Sequence, residues 1–434
     1  MNYQNRVHKF DITLTLNTSA TVEKPSAPNL HLVYKDTILF TDPEDTPVTG
    51  LDADAHGPYL QFSGAFPDLP SVNYTGDGFG RSGPGGHRVS VDSEGLVLNT
   101  DGSFWVSDEY GPYIYKFSSS GKMLQAIRPP NALIPLRNGT ESFSADSAPV
   151  YDPSYEVTPA DNPSGRANNQ GLEGLTASPD GTKLFALMQS ALNQEGGLKK
   201  KTRRYARLLQ YSVATTPATY EAEYVLPLPL YNDGANVAAQ SEIHFLSSTQ
   251  FFVLARDSNA GHGASGSQSV YRHIDIFDIS NATNVKSGDH DAFNGSIASS
   301  KGDLNEGVTP ATYCSFLDFN VNSQLNRFGV HNGGAQDSAL LNEKWESIAT
   351  VPVDGDGDDG EYFVFSLSDN DFITQNGAFT PLTLNGFVVI LPRTDCLTGY
   401  MDFGNYTYKD ASGYNLDNQA LVFQVQLPKG VRPS

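Results

Sequence analysis

A glutamate recurs in this chain in one fixed setting, and that repeat limits what the chain can fold into. It stands in D-S-E-G-L-V-L at Asp92–Leu98, G-L-E-G-L-T-A at Gly171–Ala177, Q-S-E-I-H-F-L at Gln240–Leu246 and K-W-E-S-I-A-T at Lys344–Thr350. Each copy opens a short strand-like run and is followed by a second one. These second runs are F-W-V-S-D-E at Phe104–Glu109, L-F-A-L-M-Q at Leu184–Gln189, F-F-V-L-A-R-D at Phe251–Asp257 and Y-F-V-F-S-L-S-D-N-D at Tyr362–Asp371. From glutamate to the polar residue closing the second run the gaps are 14, 16, 15 and 23 residues, the last stretched by an acidic insert. Repeats built of strands rather than helices point to a β-propeller, in which every blade brings the same position near a central axis. Two packed sheets of a sandwich would not explain the recurring glutamate.

The rest of the sequence fits an all-β chain. Aromatic and β-branched runs are separated by D-G, N-G and S-P turn signals, with 40 glycines and 26 prolines. Helical periodicity is weak and confined to Leu198–Leu209, so helix is expected to be minor. Units two to four follow a strand–turn–strand grammar from His87, Gly171 and Gln240. A first unit is read in His8–Leu16, Leu30–Tyr34 and Tyr59–Gly64, and a fifth in D-L-N-E-G around Glu306 with S-F-L-D-F-N at Ser315–Asn320. A sixth starts near Lys344. Six blades are favoured, and a seventh would have to hide between Ser280 and Gly333. The chain reads as a single domain over 1–434, with loop insertions near 73–86, 131–169 and 193–205. The last strand-like run, A-L-V-F-Q-V-Q-L-P, is expected to pair with the first strand and close the ring.

Charge excludes some partners. Lys and Arg total 28 against 49 Asp and Glu, a net charge of −21. Such a field opposes nucleic acid and anionic membranes, yet leaves room for a small anionic substrate bound by a local metal or arginines. No run of eighteen apolar residues could span a bilayer. Sequons at Asn17, Asn73, Asn138, Asn281, Asn294 and Asn405 suit N-linked glycans on a secreted monomer, with a start methionine in place of a signal peptide. Cys314 and Cys396 either form one disulfide or stay apart.

The recurring residues Glu94, Glu173, Glu242 and Glu346 fit two roles. They can gather around a divalent cation, which takes carboxylate and carbonyl oxygens. They can also accept hydrogen bonds from the amides of the neighbouring blade, or pair with arginines. Asp108 and Glu109 end a strand beside a Gly-Pro turn, and on a regular strand only one of them can face the pocket. Asp257 and Asp369 or Asp371 hold the matching place in later units, so Asp108, Asp257 and Asp369 join the metal candidates. Arg81, His87, Arg88, Arg166 and Arg256 lie at loop or strand ends, where a guanidinium could bind phosphate or carboxylate, although ion pairing with surplus acids is the simpler use of any single one. The K-K-K-T-R-R run at Lys199–Arg204 reads as an exposed loop. The insert from Asp354 to Glu361 departs from the EF-hand pattern, with Phe365 at the twelfth position, and reads as a solvated acidic turn. There is no G-x-S-x-G elbow, no H-E-x-x-H and no P-loop, and His262 stands alone in a glycine loop.

Three segments together resemble one known family. They are S-D-E-Y-G-P-Y-I-Y-K-F at Ser107–Phe117, N-N-Q-G-L-E-G-L-T-A-S-P-D-G-T-K-L-F-A at Asn168–Ala186, and L-S-D-N-D-F at Leu367–Phe372. The chain from about Gly50 to Leu391 resembles the phytase-like family, also called "esterase-like activity of phytase", found in secreted fungal and bacterial proteins. The resemblance implies a β-propeller akin to calcium-bearing propeller phosphatases and lactonases, and it favours Glu109 over Asp108. The expectation is a secreted, calcium-assisted hydrolase of a phosphate ester such as phytate, in which Glu109 or Glu173 moves the proton. A lactonase or carboxylic esterase on the same metal, and a non-catalytic propeller binding a glycan or protein, are the alternatives.

Overall fold

The computed structural model describes residues 3–64, 66–78, 82–148, 152–355, 357, 359–373, 383–384, 387–388, 413–428, 431 and 433. It is an all-β propeller arrangement, and its blades number four among the described residues, not six or seven. Blade one is Ser93–Leu98, Phe104–Asp108, Ile114–Phe117 and Met123–Ile127. Blade two is Leu172–Ala177, Lys183–Met188, Tyr205–Ser212 and Thr219–Pro227. Blade three is Ala239–Phe245, Gln250–Arg256, Arg272–Asp278 and Thr312–Asp318. In blade four, Lys344–Trp345 and Ala349–Pro352 pair with one edge of Glu361–Asp369, and Ala420–Gln426 pairs with the other.

The expected fifth unit fails because its best strand, Thr312–Asp318, is the outermost strand of blade three, paired with Arg272–Asp278. Glu306 lies in the loop before it. The expected first unit fails because Arg6–Leu14 pairs with Leu30–Leu39 as a two-stranded ribbon. The same pairing overturns the expected closure: the last strand, Ala420–Gln426, bonds to blade four, and the first strand bonds to its own hairpin partner. The weak helical stretch is also corrected, since Tyr205–Ser212 is a strand; the two described α-helices are four residues each.

Hydrophobic layers lie between neighbouring blades. Leu175, Phe185, Ile243 and Phe251 pack blades two and three together, Leu254, Trp345 and Val364 join blades three and four, and Phe40, Phe104 and Phe117 fix the amino-terminal segment to blade one. Each such side chain contributes about 1.5–3 kcal/mol on burial. The run F-F-V-L-A of blade three is buried on every residue because sheets cover both faces, whereas Glu361–Asp369 alternates, as a strand with one wetter face does. Between blades four and one, the Asn5 amide donates to the Val91 carbonyl at 2.9 Å, and the Tyr3 ring meets Phe372 with centroids 5.5 Å apart.

Two further details position the site. The innermost strand of each of the first three blades is bulged at the recurring glutamate, with register shifts at Ser93/Leu96, Leu172/Gly174 and Gln240/Glu242. In blade four the strand breaks there instead, between Trp345 and Ala349. A bulge re-aims side chains out of the regular alternation. The acidic insert closes a hairpin, with the Val353 amide on the Glu361 carbonyl at 2.9 Å. Sequon residues Asn73, Asn138, Asn281 and Asn294 are exposed and Asn17 is half-buried; Asn405 lies outside the described residues. Cys314 is exposed on blade three, and Cys396 is likewise outside the described residues. No described helix is long and apolar enough to cross a membrane.

Candidate metal centre

Asp92, Glu94 and Glu109 each bring a carboxylate oxygen within 4.8 Å of the others. Asp92 and Glu94 come from the bulged start of blade one's inner strand, and Glu109 follows its second strand. Glu109 and Glu173 are each only 3 % exposed, and Glu109 Oε1 and Glu173 Oε2 have no hydrogen-bond partner. The other oxygen of Glu173 accepts from the Gln189 side-chain amide. Glu346 closes the group from blade four, accepting from Arg256 at 2.8 Å and pairing with Lys344 at 3.3 Å. Lys344 also reaches Asp369 at 3.2 Å and Asp371 at 3.5 Å.

The electrostatics follow from burying so many acids together. Burial, then the nearby Glu173 and Glu109, raises Glu94 well above the usual carboxylate range. Burial, then Glu173 and Asp92, does the same to Glu109. Burial and then Glu346 raise Glu173, against the pull of Lys344 and Arg256. Burial lifts Asp92 to about 6. Burial would lower Lys344, but Glu346, Asp369 and Asp371 together raise it. Burial and mutual repulsion push these carboxyls up together, with Lys344 and Arg256 as the cations that oppose it at Glu173.

A divalent ion would offset that repulsion. Oxygens each about 2.4 Å from one ion can stand at most about 4.8 Å apart, so the three carboxylates fit one hard cation. The cluster has no cysteine or histidine, which argues for calcium or magnesium chemistry over zinc.

A family model described as "Phytase-like: Esterase-like activity of phytase" matches residues 4–372. The chain belongs to the phytase-like family. It is 53 % identical over 398 residues to an "Uncharacterized secreted protein" of Arthroderma benhamiae, covering 88 % of this chain and 77 % of that one. Among solved structures it is similar to a chain of the S. cerevisiae assembly of Dbp5 with Nup159, Gle1, IP6 and ADP, at 10 % identity and a TM-score of 0.24. That match covers 65 % of this chain and spans 58 % of the other. It is also similar to a chain of Drosophila Plexin A in complex with Semaphorin 1b, at 10 % identity and a TM-score of 0.21, over 63 % and 62 % of the two chains. Scores this low carry no argument. Membership points to a phosphatase- or esterase-type hydrolase as the activity class.

In this phytase-like protein the other sequence candidates divide by what their side chains touch. Glu242 does not join the cluster: its Oε1 accepts the amides of Leu175 at 2.9 Å and Ile243 at 2.8 Å, a bond between blades two and three. Asp108 is fully buried and holds the turn after its strand, accepting the amides of Asp92, Tyr110 and Gly111 and the Tyr115 hydroxyl. Asp257 does the same in blade three, through Ser269, Val270 and Tyr271. Both carboxylates are committed to backbone before any ion could arrive. Asp369 is held by Lys344 at the rim.

The arginines are mostly turned inward. Arg166 is fully buried and donates to the carbonyls of Tyr110 at 2.7 Å and Phe143 at 2.5 Å. Arg88 donates to the Asp77 carbonyl at 2.6 Å and lies 4.3 Å over the Tyr74 ring, while its neighbour His87 is exposed. Among the described residues, Arg256 is the one named arginine that touches the cluster, through Glu346; Arg81 lies outside the described residues. Asp92 and Lys344 are the residues that sequence reasoning missed. The signal for Asp92 was its place in the same acidic run, two residues before the recurring Glu94. Lys344 stands two before Glu346 in the same way.

Proposed function

We propose that this phytase-like protein is an extracellular hydrolase that cleaves a phosphate ester such as phytate with the help of calcium held by Asp92, Glu94 and Glu109. The observation that carries the reading is the carboxylate triad with the orphaned, buried oxygens of Glu109 and Glu173 beside it. Bound there, calcium would neutralise phosphoryl oxygens and make a water more acidic. The chain's own groups supply the rest. Gln189 fixes one oxygen of Glu173 and leaves the other to take or return a proton, and its raised pKa suits a group that must hold one near neutral pH. Glu346 spends its charge on Arg256 and Lys344, which keeps both cations at the edge of the cluster. Secretion rests on the relative named as secreted, and on four exposed sequon asparagines that could carry glycans.

A second reading is favoured by the inward turn of Arg88 and Arg166. With Asp92, Glu94, Glu109, Glu173 and Glu346 gathered beside Lys344 and Arg256, a neutral lactone or carboxylic ester meets less repulsion than a polyanion. The test is a panel of phytate, an aryl phosphate, an aryl acetate and a lactone, each with calcium and with EDTA, on the wild type and Glu173→Gln. Calcium-dependent phosphate release that drops about 100-fold or more in the folded variant supports the proposal. Turnover of the carboxyl substrates alone selects the second reading. Equal background in both proteins on every substrate sinks both and leaves a binding propeller.

A further inference from the structure

Away from the axial carboxylates, blades one and two part to leave a cleft of about 330 Å³. That volume falls at the small end of the range for small-molecule sites. One wall is Arg128 with the rings of Pro129 and Pro130, just past the last strand of blade one. The other is Tyr211 and Tyr220 from the two outer strands of blade two, their rings 5.5 Å apart, with Asp291 beside them.

The charges at this cleft are largely spent. Arg128 donates to Asn131 Oδ1 and to the Glu141 carboxylate, both at 2.7 Å. The Tyr220 hydroxyl donates to Glu223, which is itself paired with the fully buried Arg207 at 2.8 Å. Lys286 sits 4.9 Å over the Tyr220 ring and donates to the Tyr220 carbonyl. One polar group lacks what it needs: Tyr211 is 2 % exposed, lines the cleft, and its hydroxyl has no partner in the protein. A buried hydroxyl left alone is costly, so it marks a place where something else supplies the bond.

We infer that this cleft binds a neutral polyhydroxylated ring, a sugar unit, separately from the axial site. Proline and tyrosine faces match the apolar faces of such a ring. The Tyr211 hydroxyl, the Asp291 carboxylate and the Asn131 side chain match its hydroxyls. Of the residues lining the cleft, the one cation, Arg128, is paired with Glu141, and the Asp291 carboxylate repels an anion.

The experiment titrates the intact protein with the methyl glycosides of glucose, mannose, galactose and N-acetylglucosamine, followed by ligand-observed NMR, with inorganic phosphate and choline as charged controls. Saturable binding of at least one glycoside is expected. Tyr211→Phe should weaken it about fivefold, the loss of one hydrogen bond, while melting no lower than the wild type because an unsatisfied hydroxyl has been removed. Glu173→Gln should bind the glycoside as the wild type does, which keeps this site's fate apart from that of the axial one. No saturable glycoside, unchanged affinity in Tyr211→Phe, or binding of the charged controls alone would overturn the inference.

Discussion

The carboxylate of Glu242 accepts the amide of Leu175 at 2.9 Å, tying the inner strand of one blade to the inner strand of the next. The same repeat position in blade two, Glu173, leaves a buried oxygen without a partner. One repeated residue therefore serves two ends: it joins blades at one place and builds a charged centre at another.

That division gives a first prediction. Burial pushes Glu242 up to about 8, against the pull of its two amide bonds. Between the ordinary carboxylate range and that value the folded state holds a proton that the unfolded chain has given up, so stability falls as pH rises across this window. Glutamine keeps an oxygen for both amides and carries no charge. Glu242→Gln should therefore melt like the wild type near pH 5 and be more stable near pH 8, by roughly 1–3 kcal/mol. Melting curves in EDTA at the two pH values check this, and a variant less stable at both would refute it.

Asp257→Asn tests whether the strand-end aspartates are metal ligands or turn fasteners. The carboxylate holds Ser269 Oγ and the Val270 amide, both at 2.7 Å. Replacing it should cost about 1–3 kcal/mol, by the same amount in calcium and in EDTA. A loss seen only in calcium would return Asp257 to the metal candidates.

Gly95, which follows the recurring Glu94, lies tightly against blade two. A Cβ there would meet the Leu175 Cβ at 2.6 Å and the Glu173 carbonyl oxygen at 2.7 Å. Its amide also donates to the Ser107 hydroxyl oxygen, and that hydroxyl in turn donates to the same carbonyl, both at 2.9 Å. Gly95→Ala should cost about 1–3 kcal/mol and loosen the placement of Glu173. Chemical denaturation should report the loss, and a variant as stable as the wild type would show that the blades are free to separate.

The sequence made the inner and second strands of all four blades legible, because each pair carries a glutamate and an aromatic run at a steady spacing. It did not make the count legible. Thr312–Asp318 reads as well for the start of a blade as for the outer edge of one, and Arg6–Leu14 reads as well for a blade strand as for a free ribbon. The absence of a strand-borne glutamate in both was the distinguishing mark. The centre was half legible. Glu94, Glu109 and Glu173 could be named from the repeat as candidates, but a bulge and a neighbour's amide decide which glutamates stay unpartnered, and neither leaves a local trace. Arg166 misled because a buried arginine serving carbonyls looks the same in sequence as one facing a ligand.

The most direct test of the account is a calorimetric titration of calcium into chelator-stripped protein, wild type beside Glu109→Gln. Glu109 gives the triad a buried oxygen with no hydrogen-bond partner, and the upward push on its carboxyl sets proton and ion in competition for it. The wild type should bind calcium with release of protons, more tightly at pH 8 than at pH 5, and the substitution should weaken binding at least tenfold while the fold persists. Equal calcium affinity in the two proteins, or none in the wild type, would contradict a metal centre at Asp92, Glu94 and Glu109.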